Sequence, residues 1–211
     1  MTKSWWPKWH EGYEIEDSFL HQRLQDVKRV LVRSIREFDR PVRIISVCAG
    51  QGRDVIEVLR DDPSLNVKDA YLFEIDPENV AFGENLVSHY RLNNVNYVIG
   101  DASITSVYKE FVPTDILMLC GIFGNVSQAD IKTTLKAATT LLVRGGVVIW
   151  TRHRGEPNIV PEIQIWAKDL DFHEIELIAP PETLYAVGSN RYLGPAKKFE
   201  AQIKMFEFMT N

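Results

Sequence analysis

Three sets of residues in this chain stand where apolar runs end, and their types suit the binding of a nucleoside. In ISVCAGQGRDVIEVL a β-branched run meets Gly50 and Gly52, and a helical pattern resumes within two residues. Glycines at a strand-to-helix turn permit a tight backbone and let a ligand come within van der Waals reach of it. A bare G-x-G also fits a loop that binds nothing. Glu74 lies 22 residues beyond Gly52, at the end of a second apolar run. In a dinucleotide-type fold that position faces a ribose, whose two hydroxyls a carboxylate accepts. Asp101 ends a third run, Tyr97-Val98-Ile99-Gly100, placed to accept from an adenine amino group. Asp76 competes with Glu74, but it immediately precedes Pro77 and is assigned to a turn and helix start.

A second group could handle an acceptor molecule. Arg152, His153 and Arg154 follow the apolar run Val147–Thr151. Cations at the end of a central strand are costly to bury unless something acidic meets them. One reading is a site for an acidic or phosphorylated acceptor, with His153 as base. The other is a structural ion-pair cluster with acids such as Glu14 or Glu16. Cys120-Gly121-Ile122-Phe123-Gly124-Asn125 sets two glycines around an aromatic, a loop expected beneath the reacting group, with Phe123 and Asn125 facing the acceptor. Trp5, Trp6, Trp9 and Tyr13 form either a lid, with aromatic faces toward a cation, or an arm that merely packs.

The elements that must position these residues alternate in type. Leu20, Leu24, Val27, Leu31, Ile35 and Phe38 recur at helical spacing from about Ser18 until Pro41. The opposite stripe, Arg29, Arg33, Arg36 and Arg40, reads as a solvated face rather than an RNA-binding patch. Strands are expected at 43–47, 70–73, 96–99, 115–119 and 147–151, and helices at 54–59, 77–90, 128–142 and 161–168. Two later strands, 173–179 and 201–209, suit an antiparallel edge hairpin. Strands separated by helices imply βαβ units. The expectation is an α/β, Rossmann-like, doubly wound three-layer sandwich, with a mostly parallel seven-stranded sheet and that hairpin at its edge. Residues 1–40 form an arm and helix that cap, within one domain, the ligand-binding part 41–211.

Composition narrows the function classes. Twenty-four Lys and Arg against 29 Asp and Glu give a net charge of -5, which excludes a whole-chain basic field for nucleic acid or anionic membrane. The N-terminus shows no signal-peptide h-region and no run is long enough to span a bilayer, so a cytoplasmic location is expected. Two cysteines in apolar runs agree with a reducing compartment. The five histidines and two cysteines have no ligand spacing, so no metal is expected.

The series RIISVCAGQG, AYLFEIDPENV, NVNYVIGDAS, TDILMLCGIFGNV and LLVRGGVVIWTRHR resembles the class I S-adenosylmethionine-dependent methyltransferases over roughly residues 42–154. CGIFGNV together with VIWTRHR is similar to an uncharacterised bacterial subgroup of that family. The resemblance implies that Cys48, Ala49, Gly50, Gln51 and Gly52 cradle the methionine portion of S-adenosylmethionine, or of its product S-adenosylhomocysteine. It implies Glu74 and Ile75 at the ribose, Asp101 and Ala102 at adenine, and Cys120 with Gly121 near the methyl group. The family's acid two residues before the first loop glycine is missing, the nearby positions being Ser46 and Cys48. Asp54 or a backbone carbonyl would then take the methionine ammonium. Cys48 in place of glycine is expected to need no positive φ, and its small apolar side chain is expected to pack rather than react. The Asn/Asp-Pro-Pro-aromatic clamp of amino-methylating enzymes is absent, which favours a small acceptor, acidic or hydroxyl-bearing, over nucleic acid. Two other readings stand: a non-catalytic nucleotide-binding protein, and an NAD-dependent oxidoreductase, against which Val55 replaces the third glycine of G-x-G-x-x-G. The oligomeric state is open, a homodimer included.

Overall fold

A computed structural model describes residues 18–209. Its strands read β1 Val42–Val47, β2 Val67–Glu74, β3 Val95–Ile99, β4 Thr114–Leu119, β5 Leu142–His153, β6 Phe172–Ile178 and β7 Tyr185–Tyr192. The helices are α1 Phe19–Arg36, α2 Arg53–Asp61, α3 Pro77–Tyr90, α4 Gln128–Leu141 and α5 Val160–Lys168. The sheet order is β3-β2-β1-β4-β5-β7-β6, parallel from β3 through β5, with β7 antiparallel to both neighbours.

Successive strand residues face opposite sides, and in a sheet covered on both faces each side must be apolar. Ile44, Ile116 and Met118 face Val27, Leu31 and Ile35 of α1 and Val55 and Ile56 of α2. Ile45, Val47, Leu117 and Leu119 face Ile131 and Leu135 of α4 and Ile163 of α5. The sandwich therefore has α1, α2 and α3 on one face and α4 and α5 on the other. Ser18 caps α1 by accepting from the His21 amide, and Asp76 caps α3 by accepting from Glu78 and Asn79, with Pro77 in the first turn. Buried Asp26 ties α1 to the sheet, accepting from the Tyr185 hydroxyl at 2.7 Å.

Two expectations are corrected. Residues 201–209 form no strand: they run as irregular chain with isolated bridges at Lys204 and Phe208, burying Met205 and Phe206. The hairpin partner of β6 is instead β7, which lies inside the sheet between β5 and β6. Its Gly188 pairs with Trp150, whose indole fills the space a Cβ would take and donates to Asn190 at 2.8 Å. The arginine stripe is a solvated face laced with ion pairs, Arg33 to Glu176, Arg36 to Asp62 and Arg40 to Asp115. No helix among the described residues is long and apolar enough to cross a membrane.

Candidate functional site

The parallel strands β1, β2 and β4 bring their carboxyl ends together around a cavity of about 390 Å³. Such crevices outside the strand ends are where open α/β sheets take ligands. Its wall is the turn Cys48–Gly52 with Asp54 behind it, Glu74 and Ile75 from β2, and Cys120 and Gly121 from β4. Ten of the twelve residues assigned to the cofactor in the sequence thus line one space.

The turn is wound tightly. Gly50 and Gly52 have φ of 57° and 64°, and Cys48, against expectation, also has a positive φ of 52°. The backbone reverses here within one residue of β1, and the left-handed conformation is needed at Cys48 whatever its side chain costs. Gly50 is held from two sides. Its N–H donates to Glu74 Oε2 at 2.7 Å, and its carbonyl accepts from the Tyr97 hydroxyl at 3.2 Å. The Tyr97 hydroxyl lies over Gly52, and its hydroxyl and ring edge over Gly83 of α3, where any Cβ would collide with it.

Glu74 is buried, and its second oxygen accepts from the amides of Ile75 and Asp76, both at 2.8 Å. The carboxylate is thereby fixed in place at the rim. Beside it Ile75 is 64% exposed, a large apolar side chain turned to solvent at the cavity edge. Asp54 sits in the first turn of α2, accepting from the Val55 amide at 2.9 Å. Burial pushes its carboxyl up to about 6, opposed by hydrogen bonds from the backbone and by Arg23, and reinforced by Glu57. Burial likewise raises the thiols of Cys48 and Cys120, keeping both as neutral, unreactive groups.

Other expected residues lie elsewhere. Asp101 is exposed and accepts from the amide and hydroxyl of Ser103 at 2.9 and 2.6 Å, a local turn. Ala102 is buried, its carbonyl accepting from Tyr108. Neither reaches the cavity wall. Phe123, expected beneath the reacting group, is fully buried in the core against Trp150. His153 is exposed and folded back, its Nδ1 accepting from the Gly155 amide at 3.0 Å. Arg154 is committed to the carbonyls of Tyr185, Thr183 and Pro180. Asn125 donates to the Gly121 carbonyl at 2.8 Å, bracing the β4 loop. Trp5, Trp6, Trp9 and Tyr13, like Glu14 and Glu16, lie outside the described residues. Conversely, Arg23 and Leu24 of α1, Asn79 and Phe208 line the cavity without having been singled out for it, and Asp76, assigned to the helix start, lines it too. Only tertiary packing brings α1 and the 201–209 segment there, and no local pattern marks them. No group of three or more His, Cys, Asp or Glu among the described residues is arranged to hold a metal.

Comparison with known proteins bears on the family and the fold. A family described as "Putative methyltransferase" matches residues 18–174. The uncharacterized protein YnbC of Escherichia coli K12 is 25% identical over 121 residues, 56% of this chain and 20% of that protein, so the chain spans about a fifth of that relative. Three solved structures share the fold. A precorrin-6y C5,15-methyltransferase from Geobacter metallireducens has a TM-score of 0.59 at 14% identity, covering 79% of this chain and 88% of that one. An O-methyltransferase family protein from Burkholderia thailandensis has a TM-score of 0.60 at 14% identity, covering 82% and 57%. A fibrillarin pre-rRNA processing protein from Methanococcus jannaschii has a TM-score of 0.56 at 15% identity, covering 74% and 68%.

Proposed function

The chain belongs to this methyltransferase family, and from that premise we propose that it uses S-adenosylmethionine to methylate a small, acidic or hydroxyl-bearing acceptor. One observation carries the reading: the glycine turn, the acid ending β2 and the β4 loop wall a single cavity of about 390 Å³. Its donor set fits the cofactor at both ends. Glu74 offers a fixed carboxylate for ribose hydroxyls, with Ile75 as an apolar platform for the base. Asp54 takes over the role of the missing β1 acid and faces the methionine ammonium. S-adenosylmethionine supplies an electrophilic methyl carbon on a sulfonium.

The protein's part is alignment and exclusion of water, so effective concentration supplies much of the acceleration. Cys48–Gly52 hold the backbone close to the bound group, and Cys120 with Gly121 bound the space on the acceptor side. Asp101 and Ala102, which follow β3 and lie off the cavity wall, are given no part in this binding. His153 stands outside the cavity, and no proton transfer is routed through it. The helix α1 brings Arg23 and Leu24 to the wall. On this reading residues 1–40 act as the cap of the domain 41–211.

Isothermal titration of the full chain with S-adenosylmethionine, S-adenosylhomocysteine and NAD tests the proposal. Binding of the first two and none of NAD is expected. Heat with NAD alone would overturn it. Cofactor binding without turnover over a broad panel of small acids and phenols would favour a sensor instead.

A further inference from the structure

Arg152 differs from the arginines around it. Among the described residues its Nε is buried without a hydrogen-bond partner, and its guanidinium makes no ion pair. Arg43 also has an unpartnered Nε, but its other nitrogens reach the Phe111 carbonyl and Asp69. Arg154, two residues on, is committed to three carbonyls. A half-buried guanidinium without an acceptor is unfavourable, and such an orphan in a folded protein calls for an explanation, a missing ion among them. Desolvation alone lowers the Arg152 pKa, as it does when no carboxylate stands near to offset it.

The place of this orphan gives it meaning. Arg152 follows Thr151, whose hydroxyl accepts from the Gly121 amide at 2.8 Å, and Gly121 is part of the cavity wall. The Arg152 guanidinium lies against Gly124, where a Cβ would come within 3.7 Å of its terminal nitrogen. Gly124 precedes Asn125, which accepts from the Met209 amide at 2.9 Å, next to Phe208 on the cavity wall. Gly124 and Gly121 belong to one loop, so the guanidinium packs on the loop whose first residues form the cavity wall.

The geometry points to Arg152 as a binding residue for an anionic group, a carboxylate or a phosphate, carried by the methyl acceptor. The fork of an arginine matches either group with two parallel hydrogen bonds, and the neighbouring Arg154 is already committed to carbonyls. This rests on the methyltransferase reading, yet the subsite itself can be tested without turnover.

The test uses the guanidinium Nε–H signals of the full chain by nitrogen-resolved NMR, the Arg152 signal being identified by its loss in Arg152→Lys. Inorganic phosphate and malonate are titrated separately, with and without S-adenosylhomocysteine. A saturable shift of the Arg152 signal is expected, larger for whichever anion the subsite prefers, with the Arg154 signal unmoved. Isothermal titration should show that anion binding at least roughly tenfold weaker in Arg152→Gln, with S-adenosylhomocysteine affinity unchanged. Shifts of all arginine signals together, without saturation, would mean charge screening and overturn the assignment. No shift with either anion would overturn it as well. Failure of S-adenosylhomocysteine to bind would instead count against the cofactor reading, while the anion titration still judges Arg152.

Discussion

The two ends of the cavity are built on different terms. At the β1–β2 end the frame is bonded to itself: Gly50 is gripped by Glu74 and Tyr97, and Glu74 accepts three backbone amides. At the β4–β5 end the partners are divided. Arg154 closes the corner of β7, Asn125 braces its own loop, and the Arg152 Nε is left without an acceptor among the described residues. The first end is a finished frame whose shape precedes its ligand. The second has a frame and one open valence. A bonded frame presents the same shape to every molecule, so on the proposed function discrimination among acceptors falls to the other half.

The largest effect should come from breaking the finished end. Glu74→Ala removes the acceptor of three amides and the proposed ribose ligand together. Its S-adenosylhomocysteine affinity should fall roughly tenfold to a hundredfold, and urea unfolding should show a loss of about 1–3 kcal/mol. An unchanged affinity would mean that the frame is not the ligand site. Glu74→Gln keeps the shape, and the part of the affinity it restores separates the two roles.

Breaking the bonded part of the other end should have a narrower effect. Arg154→Ala leaves the Thr183 and Tyr185 carbonyls short of a donor and should cost about 1–3 kcal/mol in the same unfolding experiment. S-adenosylhomocysteine affinity should stay within about twofold of wild type. A larger loss of affinity would mean that the two ends are not independent.

The smallest effect is a pH dependence that sharpens the contrast. Asp54 is raised to about 6, so its neutral form favours the folded, empty protein, and that contribution is lost as pH rises through about 6. An ammonium partner reverses the preference. S-adenosylhomocysteine should therefore bind more weakly below about pH 6 and reach a plateau above it, through groups that include Arg23 on α1 and Glu57 on α2. Asp54→Asn should flatten the profile. Titration calorimetry across that range decides it.

The two ends also differ in how far the sequence discloses them. The five parallel strands are legible because strands buried on both faces become short β-branched runs, and the turn between Val47 and Arg53 announces itself by its glycines. β7 is hidden because Gly188-Ser189-Asn190-Arg191 has the composition of a turn. The glycine serves the Trp150 ring, a requirement set by a residue 38 positions away. The run 201–209 misleads in the opposite sense: its apolar residues alternate, but Met205 and Phe206 bury against the core from irregular chain. Phe123 is similar, since the same aromatic between glycines serves equally as a core plug or as a wall. Local pattern reports that a residue is apolar and not which surface it meets.

The position of β7 has a consequence in time. Its neighbours are β5 and β6, so β6 is made before the strand that holds it. Until β7 emerges from the ribosome, β6 has no ladder to join, whereas β1 through β5 can already stand side by side in their final order. The glycine turn, Glu74 and the β4 loop belong to that earlier block. That part of the cavity wall is thus assembled from residues translated first, while Arg154 gains its carbonyl partners only when the turn after β6 and the start of β7 arrive.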